Sequence, residues 1–541
     1  MKEKGLERRR LAVTDKSQLY LVGGGIAGLS AAVFAIRDAH IPGKNIHIFE
    51  VLDVLGGALD GAGSPDKYYV VRGARKVNLE VFQCMWDLLS AIPSLTDPKK
   101  TVKEEVFEYN NIHKKNAKSR LVDKNRNKTD VPEFGPMGLS WRNRKDLLSL
   151  IFVPESWIEN RRIDSWFDPS FFKTNFWNVF SPLFAIEYWN DLVEMKRYVR
   201  RFIHAFPKMG MGGAQMVFPY NQYDSVVLPI TKWLRQQGVN FEMGCKVTDL
   251  DFKPSQNELT VERIHYLRNG EKKEIVVNQG DYVFVTNGSM TADSRRGSMT
   301  EPAALETRKL DGSWTLWENL AKKRPGFGNP SVFNGHIDES KWITFCVTSK
   351  DPTFLKLYEQ VTGNKPGQAD EVTFKDSNWH MSILVLDQPH FINQPKDVFF
   401  WGGCGLQPDR EGDYVKKKMP ECSGKEILTE VCHQFGFEEE LAEAIIEGST
   451  CIPHMMPYVM SHFLPRKKSD RPLVVPEGST NLAFLGQFVE SGECVMLVES
   501  SVRCGQMAVY SLLNLDKKVP PVYTGVHSPG VMFRAIAQAL K

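Results

Sequence analysis

Residues 18–50 read QLYLVGGGIAGLSAAVFAIRDAHIPGKNIHIFE, and the order of residue types in that string leaves few folds open. A short apolar strand over 19–22 runs into Gly23-Gly24-Gly25-Ile26-Ala27-Gly28. A small-residue helix follows, and a second strand over 46–49 ends in the acid Glu50. Strand, glycines, helix, strand and acid in this register form a dinucleotide-binding βαβ unit. Gly23 permits the tight turn, Gly25 lets backbone N–H groups approach a pyrophosphate, and Gly28 lets the helix pack close to its strand. The helix N-terminus then turns its positive end toward the phosphates. Glu50, 22 residues past Gly28, is spaced to accept hydrogen bonds from a ribose hydroxyl.

Two plainer readings compete for the same stretch. Residues 19–36 carry no charge and approach membrane-spanning length, and Arg8 to Arg10 imitate the basic flank of a leader. Four glycines and a serine dilute that apolar run, Arg37 and Asp38 close it, and no small-residue cleavage pattern follows. A leader or span is therefore not expected here.

The length of 541 residues is enough for two or three packed domains. A formal net charge of +3 excludes nucleic-acid binding driven by bulk charge. The nine cysteines form no CxxC pair and, with the histidines, no cluster of zinc-ligand spacing. Scattered reduced thiols and a cytoplasmic enzyme are the expectation.

Further along, residues 53–61 (DVLGGALDG) have the small-residue character of a loop passing close to a ligand. Residues 114–129 hold seven Lys or Arg and few apolar residues, which reads as a solvated loop. Residues 166–189 hold ten aromatics in 24 positions, either packed core or the wall of a pocket for a long apolar ligand. The dinucleotide fold resumes with a short strand within 238–247, a buried strand within 281–289, and a strand-then-helix over 481–513. The fold class is thus α/β, a discontinuous Rossmann-like domain (18–75, 226–300 and 476–515) with large α+β substrate insertions at 76–225 and 301–475. Residues 516–541 form a tail with an amphipathic stretch at 531–540 and the basic residues Lys517, Lys518 and Arg534. Repeated departure and return favours FAD over NAD, although the glycine fingerprint serves both. The candidate cofactor contacts are Gly23, Gly25, Gly28, Glu50, Gly56 and Gly57 near the N-terminus. Val247, Asn287, Gly288, Ser289 and Gln487 join them from the later segments.

Several strings occur together in consistent order: NIHIFE at 45–50, GGALDG at 56–61, WDLLSAIPSL at 86–95, EMKRY at 194–198 and YNQYDS at 220–225. VFVTNGS at 283–289, QPHFINQPKD at 388–397, DRPLVVPEG at 470–478, FLGQF at 484–488 and SVRCGQMAVYSLLN at 501–514 continue the series. Taken together the chain resembles the flavin-dependent oleate hydratases, or myosin-cross-reactive antigen family, from about residue 18 to about 520. The resemblance implies hydration of a cis double bond in an unsaturated free fatty acid, with FAD undergoing no net redox change and its reduced form ordering the site. It also implies an apolar tunnel that includes part of 166–189, leaves a homodimer open, and makes peripheral membrane contact through the tail reasonable for a lipid substrate.

By that resemblance Tyr198, in the EMKRY string, is the acid; read alone, it is an ordinary helix-face tyrosine tied by one hydrogen bond. The family's RGGRE-like string reads Arg72-Gly73-Ala74-Arg75-Lys76 here, so Lys76 stands where relatives carry the water-activating carboxylate. A protonated lysine repels a carbocation, and Lys76 acts as base only if burial or Arg75 depresses its pKa. Glu80, one helical turn on, is a substitute by spacing alone. Relatives meet the fatty-acid carboxylate with a Thr and an Asn before QPHF, where this chain has Leu384 and Leu386, with His390 retained. These departures keep two alternatives open: a flavin-dependent lipid double-bond isomerase or oxidoreductase, and a lipid- and FAD-binding relative lacking its base.

Overall fold

The computed structural model describes residues 14–73, 76–130, 137–206, 215–255, 257–369 and 371–540. At its centre, β1 (Leu19–Val22), α1 (Ile26–Ala39) and β2 (Ile46–Glu50) form the βαβ unit. β1 pairs in parallel with β2 (Leu19 beside Ile46) and with the strand Tyr282–Thr286 (Leu19 beside Tyr282). Leu482–Leu485 flanks Tyr282–Thr286 on one edge and Asn240–Met243 flanks β2 on the other, completing a five-stranded parallel sheet. Both faces of such a sheet are covered, which is why LYLV, YVFV and LAFL are continuous apolar runs and fully buried. Strands drawn from positions 19 to 485 therefore share one Rossmann-type α/β sheet.

The helix Val498–Leu512 lies against α1, and small residues set their separation. A Cβ added at Gly505 would sit 2.7 Å from Ser30 Oγ and 3.0 Å from the Ala27 carbonyl oxygen, so a larger residue would force the helices apart. Beside the parallel sheet, an antiparallel meander runs through Cys245–Phe252, Val261–Arg268 and Glu271–Val276.

The second large unit is an eight-stranded mixed sheet. Its middle is Trp342–Ser349 between Ser449–Met456 and Phe399–Gly405, and it continues through Met381–Leu384, Glu371–Phe374, Ser119–Val122 and Lys128–Asp130. The last two strands overturn the solvated-loop reading of 114–129. Asp123 accepts from the backbone N–H groups of Asn125 and Asn127, each at 2.9 Å, and this turn folds the basic run into a hairpin. Ser119–Val122 then pairs with Glu371–Phe374, and Arg120 is buried. Between the two sheets lie the helices Asn175–Phe184 and Leu192–Phe202, whose apolar side chains merge with the core of the parallel sheet. The tail forms the helix Pro529–Leu540, with Phe533 exposed, and Lys517 is tied to Asp38 at 2.6 Å. Among the described residues, no helix is long and apolar enough to cross a membrane.

Candidate functional site

Where β1 meets α1, the backbone opens a long groove. Gly23 adopts φ +104°, and an added Cβ there would lie 3.0 Å from Thr286 Oγ1. At Gly28 an added Cβ would lie 2.2 Å from the Gly23 carbonyl oxygen, so only glycine allows this helix to start so close to its strand. The first turn of α1 carries no acid, leaving its N–H groups and positive dipole end to an anion. Gly56 and Gly57, at φ +110° and +57°, fold the GGALDG loop over the turn, and an added Cβ on Gly57 would approach Gly25 Cα to 3.2 Å. Arg72 fastens that loop: it donates to Asp60 Oδ1 at 2.7 Å, to the Gly57 carbonyl at 2.7 Å and to the Thr291 carbonyl at 3.0 Å.

Glu50 accepts from the Gly24 and Leu52 N–H groups at 2.9 Å each; burial pushes its carboxyl up while those two N–H groups oppose the shift. Gly23, Gly25, Glu50, Gly56 and Gly57 line the groove, as do Val247, Gly288, Ser289 and Gln487. Gly28 acts behind the wall, through packing. Asn287 departs from the sequence expectation: alternation carries Thr286 and Gly288 to the groove, while the Asn287 side chain is fully buried and absent from its wall. A glycine cradle, a free helix N-terminus and an acid at the end of β2 fit an adenine dinucleotide, which these residues could hold.

A second cavity adjoins this groove, and Met496 and Val498 line both. Phe82, Leu183, Phe184 and Phe202 make its walls apolar, and Tyr198 faces into it. Of the aromatic stretch 166–189, Phe171, Phe176, Trp177 and Phe180 are buried core, while Leu183 and Phe184 reach the cavity. Tyr198 is fully buried, with its ring 4.9 Å from that of Phe184 and 5.9 Å from that of Phe463. Its proton has no acceptor among the described residues, and the Met496 backbone N–H stands near its oxygen only as a weak donor. Burial pushes its phenol well above the ordinary range, against a smaller opposing pull from the Met496 backbone, and keeps the proton on oxygen.

The rest of the EMKRY string holds Tyr198 in place. Glu194 is fully buried and accepts from Arg466 at 2.7 Å and Arg471 at 3.0 Å. Burial alone would raise the Glu194 carboxyl, yet Arg471 and Arg466 hold it below its usual range. Lys196 Nζ donates to the carbonyls of Leu150, Ile151 and Val153 at 3.0, 2.8 and 2.5 Å. Arg197 pairs with Glu155 at 2.9 Å and Glu490 at 3.1 Å, and Arg201 pairs with Glu493. Four charged side chains on one helix are thus each paired internally, which fixes the rotation of the turn bearing Tyr198.

Lys76 also lines this cavity, but its Nζ donates to both carboxylate oxygens of Glu371 at 2.8 Å. Arg120 reaches Glu371 Oε2 at 3.0 Å. The lysine is therefore engaged as a donor, the opposite of what a base requires. Arg75 lies outside the described residues. Glu80 is not on the cavity wall and sits 3.7 Å from His204.

Lys76 is shared with a third, smaller cavity, lined also by Lys115, Tyr220, Gln222, Leu386, Asp387 and His390. Of the three residues expected at the substrate head group, His390 and Leu386 meet here, whereas Leu384 lies on a strand opposite Glu371. Burial, and then the Lys115 ammonium, lower the His390 imidazole to about 3, so it is neutral at pH 7. Lys115 and Gln222 were not picked out by sequence reasoning. The first hides in the basic run, and the second carries no local signal beyond YNQYDS.

The MCRA family pattern matches residues 16–510. The oleate hydratase of Streptococcus pyogenes serotype M49 (strain NZ131) is 37% identical over 531 residues, covering 96% of this chain and 89% of that protein. The linoleate hydratase of Lactiplantibacillus plantarum is 32% identical over 542 residues, covering 92% and 93%. Among solved structures, cyclohexylamine oxidase from Brevibacterium oxydans IH-35A matches with a TM-score of 0.53 at 13% identity, over 93% of this chain and 99% of that one. A putrescine oxidase with redesigned cofactor binding matches with a TM-score of 0.53 at 11% identity, over 92% and 98%. At such identities the two oxidases speak to the fold alone.

Proposed function

The chain belongs to the MCRA family, and from that membership we propose that it is a fatty-acid hydratase, adding water across a cis double bond of an oleate-like free fatty acid. The observation that carries this reading is the Tyr198 hydroxyl: buried, with no acceptor for its proton among the described residues, and facing an apolar cavity beside the dinucleotide groove. An isolated alkene is a very weak base, so its protonation needs a donor held against it with no competing acceptor. Tyr198 meets both conditions. As its proton moves to one alkene carbon, positive charge grows on the other, in a cavity whose wall includes the rings of Phe184 and Phe202. Water then adds at the cationic carbon and loses a proton, giving a hydroxy fatty acid with no change in electron count.

We assign the dinucleotide groove to FAD, held by the glycine cradle, the N-terminus of α1 and Glu50. Bound there, the flavin supplies a ring that undergoes no net redox change in a hydration. The third cavity suits the fatty-acid carboxylate: Lys115 and Gln222 bring donors to a pocket where relatives use other residues, while Leu386 packs the first methylenes. The isomerase and redox alternatives drew on Lys76 as an unusual base, and its engagement with Glu371 removes that support. The test is to load the full chain with FAD and incubate it with oleate and with linoleate. Formation of a hydroxy acid is the expected result. A folded protein with its flavin bound and reduced that yields none from either substrate overturns the proposal.

A further inference from the structure

We propose that Glu371 is the carboxylate that holds and deprotonates the attacking water, an inference that rests on the hydratase reading above. Hydration needs two groups on one cavity: an acid for the alkene and a base for the water. Tyr198 supplies the first. Among the described residues lining that cavity, Glu371 is the one carboxylate. It sits at the start of the strand Glu371–Phe374, where Val372 and Phe374 point into the core of the eight-stranded sheet. Alternation along the strand turns Glu371 to the opposite face.

The carboxylate is held firmly without being used up. Lys76 Nζ contacts Oε1 and Oε2 at 2.8 Å each, and Arg120 contacts Oε2 at 3.0 Å. A carboxylate offers about four lone-pair sites, so these three contacts leave an acceptor position on Oε1 for a water. Lys76 and Arg120 thereby act as positioning residues: they fix the carboxylate at the cavity wall and neither gives nor takes a proton in the step.

The Tyr198 O–H bond breaks as a C–H bond forms at one alkene carbon. A water oxygen bonds to the other carbon while one of its O–H bonds breaks and that proton passes to Glu371. The resting state returns when the Glu371 proton reaches the Tyr198 phenolate through water. The sum is alkene plus water giving alcohol, with nothing oxidised or reduced.

The test uses the FAD-loaded full chain with oleate and linoleate. Wild-type turnover is measured first: if neither substrate is hydrated, the functional reading itself fails and the assignment of Glu371 falls with it. With an active wild type, Glu371→Gln is expected to lower kcat by about 100-fold or more while KM stays within about twofold, the scale of a lost general base. The acidic limb of its kcat–pH profile should vanish, which a merely structural ion pair would not cause. Reversing the pair, Lys76→Glu with Glu371→Lys, returns a carboxylate to the same wall and is expected to recover at least about tenfold over Glu371→Gln. Should Glu371→Gln fail to fold, Glu371→Asp withdraws the carboxylate by one methylene and should cost about tenfold in kcat. A folded Glu371→Gln or Glu371→Asp protein with wild-type kcat and an unchanged pH profile overturns the proposal.

Discussion

Replacing Tyr198 with Phe separates catalysis from stability, because the two should move in opposite directions. The substitution deletes one oxygen and keeps the ring against Phe184, Phe202 and Phe463. That hydroxyl is fully buried and its proton has no acceptor among the described residues. Burying an unpaired hydroxyl costs about 1–3 kcal/mol in proteins, so its removal should stabilise the fold by roughly 1 kcal/mol or leave it unchanged. Loss of a general acid costs about 10²–10⁴-fold in rate, equivalent to about 3–5 kcal/mol of transition-state stabilisation. Denaturant unfolding of the FAD-loaded protein measures the first quantity, and initial rates of hydroxy-acid formation from oleate measure the second. A variant that keeps its rate within about threefold, or loses more than about 2 kcal/mol of stability, would show that Tyr198 is a structural residue and not the acid.

Gly28→Ala should yield protein that binds no FAD, since the new Cβ would lie 2.2 Å from the Gly23 carbonyl oxygen; flavin absorbance after reconstitution reads this directly. Glu194→Ala leaves Arg466 and Arg471 buried without their carboxylate and should destabilise by about 3–5 kcal/mol in denaturant melts. His390 and His454 are both lowered by burial to about 3 from an ordinary 6.5, so the folded state binds their protons less tightly than the unfolded chain. Their contribution to stability is complete above about pH 6.5 and declines as pH falls toward 3, at up to about 1.4 kcal/mol per pH unit for each. His454→Gln should therefore remove about one proton from the slope of unfolding free energy between pH 6 and 4, and an unchanged slope would contradict this.

Much of the cofactor half of the molecule was legible because its determinants are local. Gly23, Gly28 and Glu50 act within one βαβ unit, and their spacing alone specifies the turn, the helix approach and the acid. The reaction cavity was harder to read, because its residues meet across long stretches of chain. Lys76 looked like a misplaced base since its partner Glu371 is 295 positions away, and no local pattern connects them. The basic run at 114–129 looked solvated because its charges dominate the composition. Leu121, Val122 and the Asp123 turn nevertheless make it a paired edge of a sheet, with Arg120 turned inward to Glu371. The aromatic stretch left core and cavity wall open, and its two readings divide between neighbouring residues: Phe180 is core and Phe184 faces the site. At Asn287 the motif marked the right strand end, but alternation decided which side chains reach the groove.

In a hydration, water, and neither dioxygen nor flavin redox chemistry, supplies the oxygen of the product. Anaerobic turnover of oleate by the FAD-loaded protein in water enriched with heavy oxygen tests it most directly, with mass spectrometry of the extracted lipid. The expected product is a hydroxy acid heavier than the substrate by one labelled water, with the flavin absorbance the same before and after turnover. A product without the label, or one formed only with stoichiometric change in the flavin, would contradict it.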